Sequence, residues 1–215
     1  YLMEKIQQII TTSRYREDIL RMLGFHNDFF EYFPKNYIKD HNDIVPVMLD
    51  IKMSECKSIF QIVNFTKDDS VLDYGSGIGL IGILLSEKCK KIDLFEPVDF
   101  MKDMISQIVN DYSNIQAISK LNNEKYDKIL CRAVLGEFEG IKNVIELKKL
   151  LTKFYKILNE DGCLCFNFHR KNGPEVHHSI TRYDADQIEH MIKQIGFKKF
   201  FRSNQTHKTE CLAFK

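Results

Sequence analysis

Residues 71–97 read VLDYGSGIGLIGILLSEKCKKIDLFEP, and this stretch decides the fold. One apolar run ends at Asp73, and a second apolar run ends at Glu96. Between them, three glycines alternate with other residues, at Gly75, Gly77 and Gly79. Glycines after a strand let the backbone turn and approach a ligand closely. The stretch therefore predicts a strand, a ligand-binding turn, a helix and a second strand.

Strand-like and helix-like segments continue to alternate from Ser70 to the end of the chain. Such alternation predicts a mostly parallel sheet with helices on both faces. The last two strand-like segments, FKKFFRSN and TECLAFK, have no helix between them, which predicts an antiparallel pair. We therefore predict an α/β fold with a doubly wound, mostly parallel seven-stranded sheet, an antiparallel C-terminal edge strand and an N-terminal helical cap. The expected boundary separates a cap at residues 1–66 from a ligand-binding domain at residues 67–215.

Composition and charge exclude several classes of protein. The chain is 44% hydrophobic and 28% charged, with a formal net charge of +1, as is typical of soluble globular proteins. The near-neutral charge argues against a nucleic-acid substrate. No apolar run approaches the roughly 18 residues of a membrane helix, so we expect no membrane association. The oligomeric state, monomer or homodimer, stays open.

The N-terminus and the cysteines indicate the compartment. The N-terminal segment YLMEKIQQII lacks the layout of a signal peptide. The six cysteines include no C-x-x-C pair, which argues against a structural zinc site. We therefore expect free thiols, no bound metal and a cytoplasmic protein.

Two classes of ligand fit the glycine turn. Gly77, Gly79 and Gly82 match the G-x-G-x-x-G pattern of dinucleotide sites, so NAD is a candidate. In that pattern, however, the first glycine follows the strand at once, whereas here the alternation begins at Gly75, after Asp73. An anionic aspartate would repel a pyrophosphate and favours a ligand with a cationic amino-acid end.

The acid at the end of the second run supports a nucleoside ligand of either class. Glu96 follows Gly75 by about twenty residues, the offset expected for an acid that accepts hydrogen bonds from ribose hydroxyls.

The order Asp-x-Gly-x-Gly-x-Gly from Asp73 resembles motif I of the class I S-adenosylmethionine-dependent methyltransferases. Glu96 is similar to that family's ribose-binding acid. Three later segments resemble the family's fourth strand, its helix with fifth strand, and its closing helix with sixth strand: YDKILCRAV, LLTKFYKILNEDGCLCFNF and ITRYDADQIEHMIKQIGFKKF. The resemblance covers residues 70–215. It implies S-adenosylmethionine as the cofactor and methyl transfer to an O or N nucleophile.

The resemblance also implies which residues contact the cofactor. They are Asp73, Tyr74, Gly75, Ser76, Gly77, Gly79, Glu96, Pro97, Ser119, Cys131 and Arg132. The family often carries an acid after the third strand to hold the adenine amino group. This chain has AISKLNNE at that place, so we expect backbone groups near Ser119 to hold the adenine.

Missing motifs narrow the acceptor. The [DNS]-P-P-[YFW] motif of enzymes that methylate planar amino groups is absent, since Cys131-Arg132-Ala133-Val134 stands at that place. No Pro-Cys dipeptide of the RNA cytosine-C5 enzymes occurs. LCRAVLGEFEG does not clearly supply the acids of metal-dependent catechol-type enzymes. A small molecule or a short peptide is therefore the expected acceptor.

Candidate catalytic and acceptor-binding residues lie near the carboxyl edge of the predicted sheet. Histidine is the natural base near neutral pH, and His169 follows the fifth strand, where ligands bind in open α/β folds. Arg132 and Glu137, just beyond the fourth strand, complete the catalytic candidates. The acceptor-binding candidates come from the N-terminal segment and the loop EVHHSITRY, and are Tyr15, Phe33, Tyr37, His177 and His178. The N-terminal aromatic rings form either a lid or packing for the cap.

Three rival functions stay open. The first is an NAD-dependent oxidoreductase. The second is a non-catalytic protein that binds the cofactor, or has lost it, and acts as a partner subunit. The third is an enzyme with a macromolecular substrate. The second would use the aromatic stretch as its partner surface. The third needs a concentrated basic face, for which the candidates are Lys198, Lys199, Arg202 and Lys208.

Overall fold

The structure is a computed structural model that describes residues 2–22, 41–136, 141, 143–172, 180–204 and 208–215. Its helices are α1 (Leu2–Thr12), α2 (Arg16–Met22), α3 (His41–Ser58), α4 (Leu80–Leu85), α5 (Asp99–Val109), α6 (Val144–Ile157) and α7 (Ala185–Ile195), and a 3-10 turn, Ile59–Gln61, follows α3. Its strands are β1 (Ser70–Tyr74), β2 (Lys91–Phe95), β3 (Ile115–Ile118), β4 (Tyr126–Leu135), β5 (Leu158–Arg170), β6 (Arg182–Tyr183), β7 (Lys199–Asn204) and β8 (Lys208–Phe214).

The strands form one sheet in the order β3-β2-β1-β4-β5-β8-β7, and β6 pairs with β5. The first five strands of this path are parallel, and β8 runs antiparallel to both β5 and β7. The predicted doubly wound α/β fold is confirmed.

Two details of the sheet differ from the prediction. The two-residue strand β6 makes eight strands instead of seven, because the segment after β5 returns to pair with its end. The last strand, β8, lies inside the sheet, and β7 takes the edge. The burial patterns fit these places, since alternate residues of β8 are buried, whereas β7 is almost entirely exposed.

Two hydrophobic cores fill the space on the two faces of the sheet. The first core joins the sheet to α1–α5 and includes Ile6, Leu49 and Ile105. The second core joins the sheet to α6 and α7 and includes Leu151 and Ile188. The N-terminal helices therefore share a core with the sheet. The boundary between residues 66 and 67 stays a prediction.

Element ends follow local chemistry with two exceptions. The sequence predicts an N-cap at Asp184 and a helix stop at Gly196, and both are confirmed: the side chain of Asp184 accepts from the backbone N–H groups of Asp186 and Gln187, and Gly196 ends α7 with a φ of 116°. The sequence also predicts a helix from about residue 47 to residue 65, whereas α3 begins before Pro46. A turn is predicted at residues 159–162, but this segment lies within the bounds of β5, where Asp161 has a φ of 63°.

A bulge interrupts the pairing of β4 with β5 at the carboxyl edge of the sheet. Cys131 pairs with Phe166 and Leu135 pairs with Phe168, so three residues of β4 lie opposite the single residue Asn167. The amide Oδ1 of Asn167 accepts a hydrogen bond from the N–H of Ala133 at 2.8 Å, in the middle of the bulge. A bulge redirects the side chains of its strand, and this one sets the positions of Arg132 and Val134.

The end of the bulged strand is fixed by backbone hydrogen bonds of Gly136. Its N–H donates to the carbonyl of Ile141 at 2.7 Å, and its carbonyl accepts from the N–H of Thr181 at 2.8 Å. Gly136 has a φ of 84°, and a Cβ added there would lie 2.1 Å from the carbonyl oxygen of Thr181. This position therefore requires glycine.

We expect Gly136→Ala to lower the free energy of unfolding by about 3 kcal/mol, because it adds both left-handed backbone strain and a clash with main chain. Urea unfolding measures the loss. Ala133→Gly is the matched control, since Ala133 has a φ of 53° and glycine relieves that strain, leaving stability unchanged or raising it by up to about 1 kcal/mol. Equal losses in the two variants would contradict this account of the bulge.

Candidate functional site

The glycine turn after β1 is held by its own backbone. The N–H groups of Gly75 and Ser76 both donate to the carbonyl of Phe95, at 2.7 and 3.2 Å. The N–H of Gly79 donates to the carbonyl of Ser76 at 2.9 Å. These bonds tie the turn to the end of β2 and leave none of these three N–H groups for a ligand.

Gly75 is required by the approach of the β4 bulge. Its φ is 72°, and a Cβ added there would lie 2.2 Å from Cγ2 of Val134. A side chain at this position would therefore separate the turn from the bulged strand. The first glycine of the motif thus serves packing as well as chain direction.

Glu96 holds the turn from the end of β2. Its Oε2 accepts from the N–H of Gly77 at 2.9 Å, and its Oε1 accepts from the N–H of Val98 at 3.0 Å. Burial raises the pKa of this carboxyl, and the two backbone N–H groups and Lys102 oppose the increase. Each carboxylate oxygen keeps a second lone pair. Glu96 is thus fixed in orientation and can still accept hydrogen bonds from ligand hydroxyls.

Asp73 is a buried carboxyl at the end of β1. Only 2% of the residue is exposed, and its Oδ2 has no hydrogen-bond partner among the described residues. Burial, and then the charge of Glu96, raise the pKa of Asp73 to about 7, while Arg132 opposes them. A cation placed against Oδ2 would stabilise the ionised carboxylate.

The polar groups of the site are therefore mostly hydrogen-bond acceptors. Asp73 and Glu96 both offer carboxylate oxygens, and the hydroxyl of Ser76 is buried with no partner in the described ranges. Four N–H groups of the turn already donate hydrogen bonds to protein oxygens. The helix that follows the turn, α4, is only six residues long. Phosphate sites at helix starts depend on free N–H groups. The arrangement suits a ligand with a cationic group and hydroxyls better than a pyrophosphate.

Two residues predicted to contact the cofactor point their side chains to the other face of the sheet. The ring of Tyr74 stacks on Phe95 with 4.9 Å between centroids and meets the edge of Phe154 at 5.1 Å. Burial raises the pKa of the Tyr74 hydroxyl to about 12. Cys131 is fully buried in the same second core. On the face of the sheet that carries Asp73, these two residues can offer a ligand only their backbone groups.

Pro97 and Ser119 are exposed and lie within two residues of the ends of β2 and β3, at the carboxyl edge of the sheet. Their assignment to the cofactor stays a prediction.

A polar row crosses the sheet on the face that carries Asp73; we use this name for Arg132, Asn167 and Glu210, on β4, β5 and β8. Arg132 Nη2 lies 2.7 Å from Glu210 Oε1, and Asn167 Nδ2 donates to the same oxygen at 3.0 Å. Sequence reasoning found Arg132 but missed Asn167 and Glu210. The signal for Asn167 was an amide between Phe166 and Phe168 in an apolar strand.

His169 lies in β5, two residues beyond Asn167 and therefore on the same face of the sheet as the polar row. It is 6% exposed and pairs in register with Arg182 of β6 and Lys208 of β8. The structure thus brings two of the catalytic candidates, His169 and Arg132, to one face. Its place within β5 differs from the prediction that it follows the fifth strand.

The N-terminal helices cover this face. Tyr15 stacks on Phe100 of α5 with 5.2 Å between centroids, and the guanidinium of Arg14 lies 4.6 Å from the Tyr15 ring. Burial raises the pKa of Cys56 in α3 to about 12, with Asp73 raising it further and Arg132 lowering it. Helix α3 therefore lies within electrostatic reach of both charged groups.

Five predicted site residues lie outside the described part of the chain: Phe33, Tyr37, Glu137, His177 and His178. Their roles stay predictions. Tyr15 lies within it, against α5, and its assignment to the acceptor also stays a prediction.

No cluster of His, Cys, Asp or Glu in the described ranges could hold a metal ion, and all six cysteines are free thiols. Among the helices that the structure describes, none is long and apolar enough to cross a membrane. Arg202 pairs with Asp186 and Glu189, and Lys198 lies 3.9 Å from Glu160. The predicted basic group is therefore partly neutralised.

Known structures share this fold. An N-methyltransferase, NodS, from Bradyrhizobium japonicum superposes with a TM-score of 0.60 at 13% identity, over 76% of this chain and 96% of that one. A SAM-dependent methyltransferase from Aquifex aeolicus gives 0.58 at 13% identity, over 74% and 89%. The 1,6-didemethyltoxoflavin-N1-methyltransferase of Burkholderia thailandensis gives 0.58 at 15% identity, over 76% and 77%.

Sequence comparison shows the family. No curated protein sequence matches this chain. The family model described as a methyltransferase domain matches residues 52–200, more than half of the chain. The protein therefore belongs to the methyltransferase-domain family, as the resemblance of its glycine turn to the class I S-adenosylmethionine-dependent enzymes predicted.

Proposed function

We propose that the protein transfers a methyl group from S-adenosylmethionine to an O or N nucleophile of a small molecule or short peptide. One observation carries the proposal: the site presents buried carboxylates at Asp73 and Glu96, while the N–H groups of its glycine turn are already bonded. Such a site complements an ammonium group and ribose hydroxyls.

The residues present fit this cofactor. Asp73 Oδ2 is buried without a partner among the residues that the structure describes, and the cationic amino group of the cofactor would supply one. The free lone pairs of Glu96 would accept from the ribose hydroxyls. The bound cofactor supplies a methyl group on a positively charged sulfur, so the chain's residues need only orient the acceptor and take up its proton.

The acceptor would approach from the polar row. His169 is the proposed proton acceptor, because imidazole is the commonest general base in enzymes and this one lies on the same face of the sheet as the polar row. Arg132 would orient the acceptor, and Glu137 stays a further candidate. Two structural neighbours support nitrogen acceptors, because their names describe N-methyltransferases. A cytoplasmic location is part of the same proposal.

An NAD-dependent oxidoreductase is the less favoured alternative. A pyrophosphate needs free N–H groups, and here four N–H groups of the turn donate to protein oxygens. The negative charge of Asp73 would also repel it.

We expect Gly75→Ala to weaken the binding of S-adenosylhomocysteine at least tenfold, because its methyl group pushes the turn away from Val134. Isothermal titration calorimetry measures the change. Adding Val134→Ala removes the clashing Cγ2 and should recover part of the affinity, with the backbone strain of the left-handed φ remaining. A Gly75→Ala protein that binds as tightly as the wild type, or a wild type that binds nothing, contradicts the proposed cofactor site.

The affinity for S-adenosylhomocysteine should depend on pH through Asp73. The pKa of this carboxyl is about 7 without ligand, and only the ionised form holds an ammonium. We therefore expect the affinity to fall by about tenfold for each pH unit below 7. In Asp73→Asn the affinity should be lower and nearly independent of pH between 5.5 and 8. An equal pH slope in both proteins would assign the dependence to another group.

The same carboxyl should destabilise the protein without ligand. Its folded pKa of about 7 exceeds the unfolded value, so its contribution favours folding at low pH and is lost as pH rises through 7. Asp73→Asn should therefore gain stability relative to wild type, by about 2 kcal/mol more at pH 8 than at pH 5.5. Urea unfolding at both pH values measures the difference in the free energy of unfolding. A variant that is less stable than the wild type at pH 8 would contradict the prediction.

A further inference from the structure

The polar row holds two buried atoms that pair with nothing in the described chain. Arg132 Nη1 and Glu210 Oε2 each have no hydrogen-bond partner there, although Nη2 and Oε1 of the same side chains lie 2.7 Å apart. The two side chains are only 13% and 11% exposed. A single contact thus joins the two side chains, and Arg132 Nη1 and Glu210 Oε2 each have no partner in the described chain.

This geometry is held in place by neighbouring groups. Asn167 Nδ2 donates to Glu210 Oε1 at 3.0 Å, and Asn167 Oδ1 accepts from the N–H of Ala133 in the bulge at 2.8 Å. The amide therefore links the carboxylate to the backbone of the strand that carries Arg132. The positions of both charged side chains are set before any ligand binds.

Stability alone does not explain the pair. An arginine and a carboxylate often meet through two parallel hydrogen bonds, and here only one contact forms. A buried donor or acceptor without a partner costs about 1–3 kcal/mol, and apolar replacements of a buried ion pair are often as stable. A buried polar atom without a partner calls for an explanation, and a bound ligand would supply the missing partner for both atoms.

We infer that Arg132 and Glu210 bind a net-neutral group of the methyl acceptor that carries a hydrogen-bond donor beside an acceptor, such as a carboxamide or a lactam. Nη1 would donate to the carbonyl oxygen, and Oε2 would accept from the N–H. The pair has no net charge, so a charged ligand group would leave one buried charge uncompensated. This inference rests on the proposed methyl transfer.

The position of the pair fits an acceptor beside the cofactor. Arg132 is close enough to Asp73 to lower the pKa of that carboxyl. The thiol of Cys56 in α3 lies within electrostatic reach of both Asp73 and Arg132. The group bound by the pair would therefore lie under α3, next to the amino-acid end of the cofactor.

Three probes with the same ring test the inference: benzamide, benzoate and benzylammonium. Each is titrated into the protein saturated with S-adenosylhomocysteine, and dissociation constants are read from protein NMR shifts. Benzamide should bind at least tenfold more tightly than either charged probe. Glu210→Gln keeps the shape of the side chain but loses the charge, and it should remove this preference, as should Arg132→Met.

The controls separate the possible failures. Glu189→Gln, in a surface ion pair with Lys193, should keep the preference for benzamide. Thermal melts establish that each variant is folded and binds S-adenosylhomocysteine. If the wild type does not bind that ligand, the proposed function fails, and titrating benzamide into the free protein still tests the pair. No preference for benzamide, or an unchanged preference in folded Glu210→Gln, would overturn the inference and leave the pair a solvated structural contact.

Discussion

The site depends on a carboxyl group buried at the end of the central strand β1. Asp73 has one oxygen without a partner in the described part of the chain, and burial with the charge of Glu96 raises its pKa to about 7. Arg132 reduces this cost but is itself bound to Glu210. A carboxyl group in such surroundings is stabilised most when a ligand brings a cation. Sites that need ligands to satisfy them commonly lower the stability of the free protein.

The bulge in β4 connects this carboxyl to the rest of the site. It brings Val134 against Gly75, where only glycine fits, and it sets Arg132 in the polar row. The N–H of Ala133 reaches Asn167, whose amide also holds Glu210. The turn that faces the cofactor and the surface that faces the acceptor are therefore parts of one connected structure.

The sequence predicted the features that depend on residues close together in the chain. Asp73 and Glu96 were found from their spacing around the glycines, and the ends of α7 from the chemistry of Asp184 and Gly196. The bulge could not be predicted, because nothing in CRAVLG marks a left-handed alanine. Glu210 was missed because its role depends on β8 pairing with β5, a contact between distant parts of the chain. The inner place of β8 reflects competition for burial between two strands, which neither sequence reveals alone.

The central claim is that the glycine turn and its two acids bind S-adenosylmethionine. Thermal melts with S-adenosylmethionine, S-adenosylhomocysteine and NAD, each at the same large excess over the protein, test it most directly. A ligand at about 100 times its dissociation constant stabilises the folded state by about 2.7 kcal/mol, or roughly 5–10 °C for a chain of this size. The account predicts this rise with the two adenosyl amino-acid ligands and none with NAD. A rise with NAD alone, or with none of the three, would contradict it.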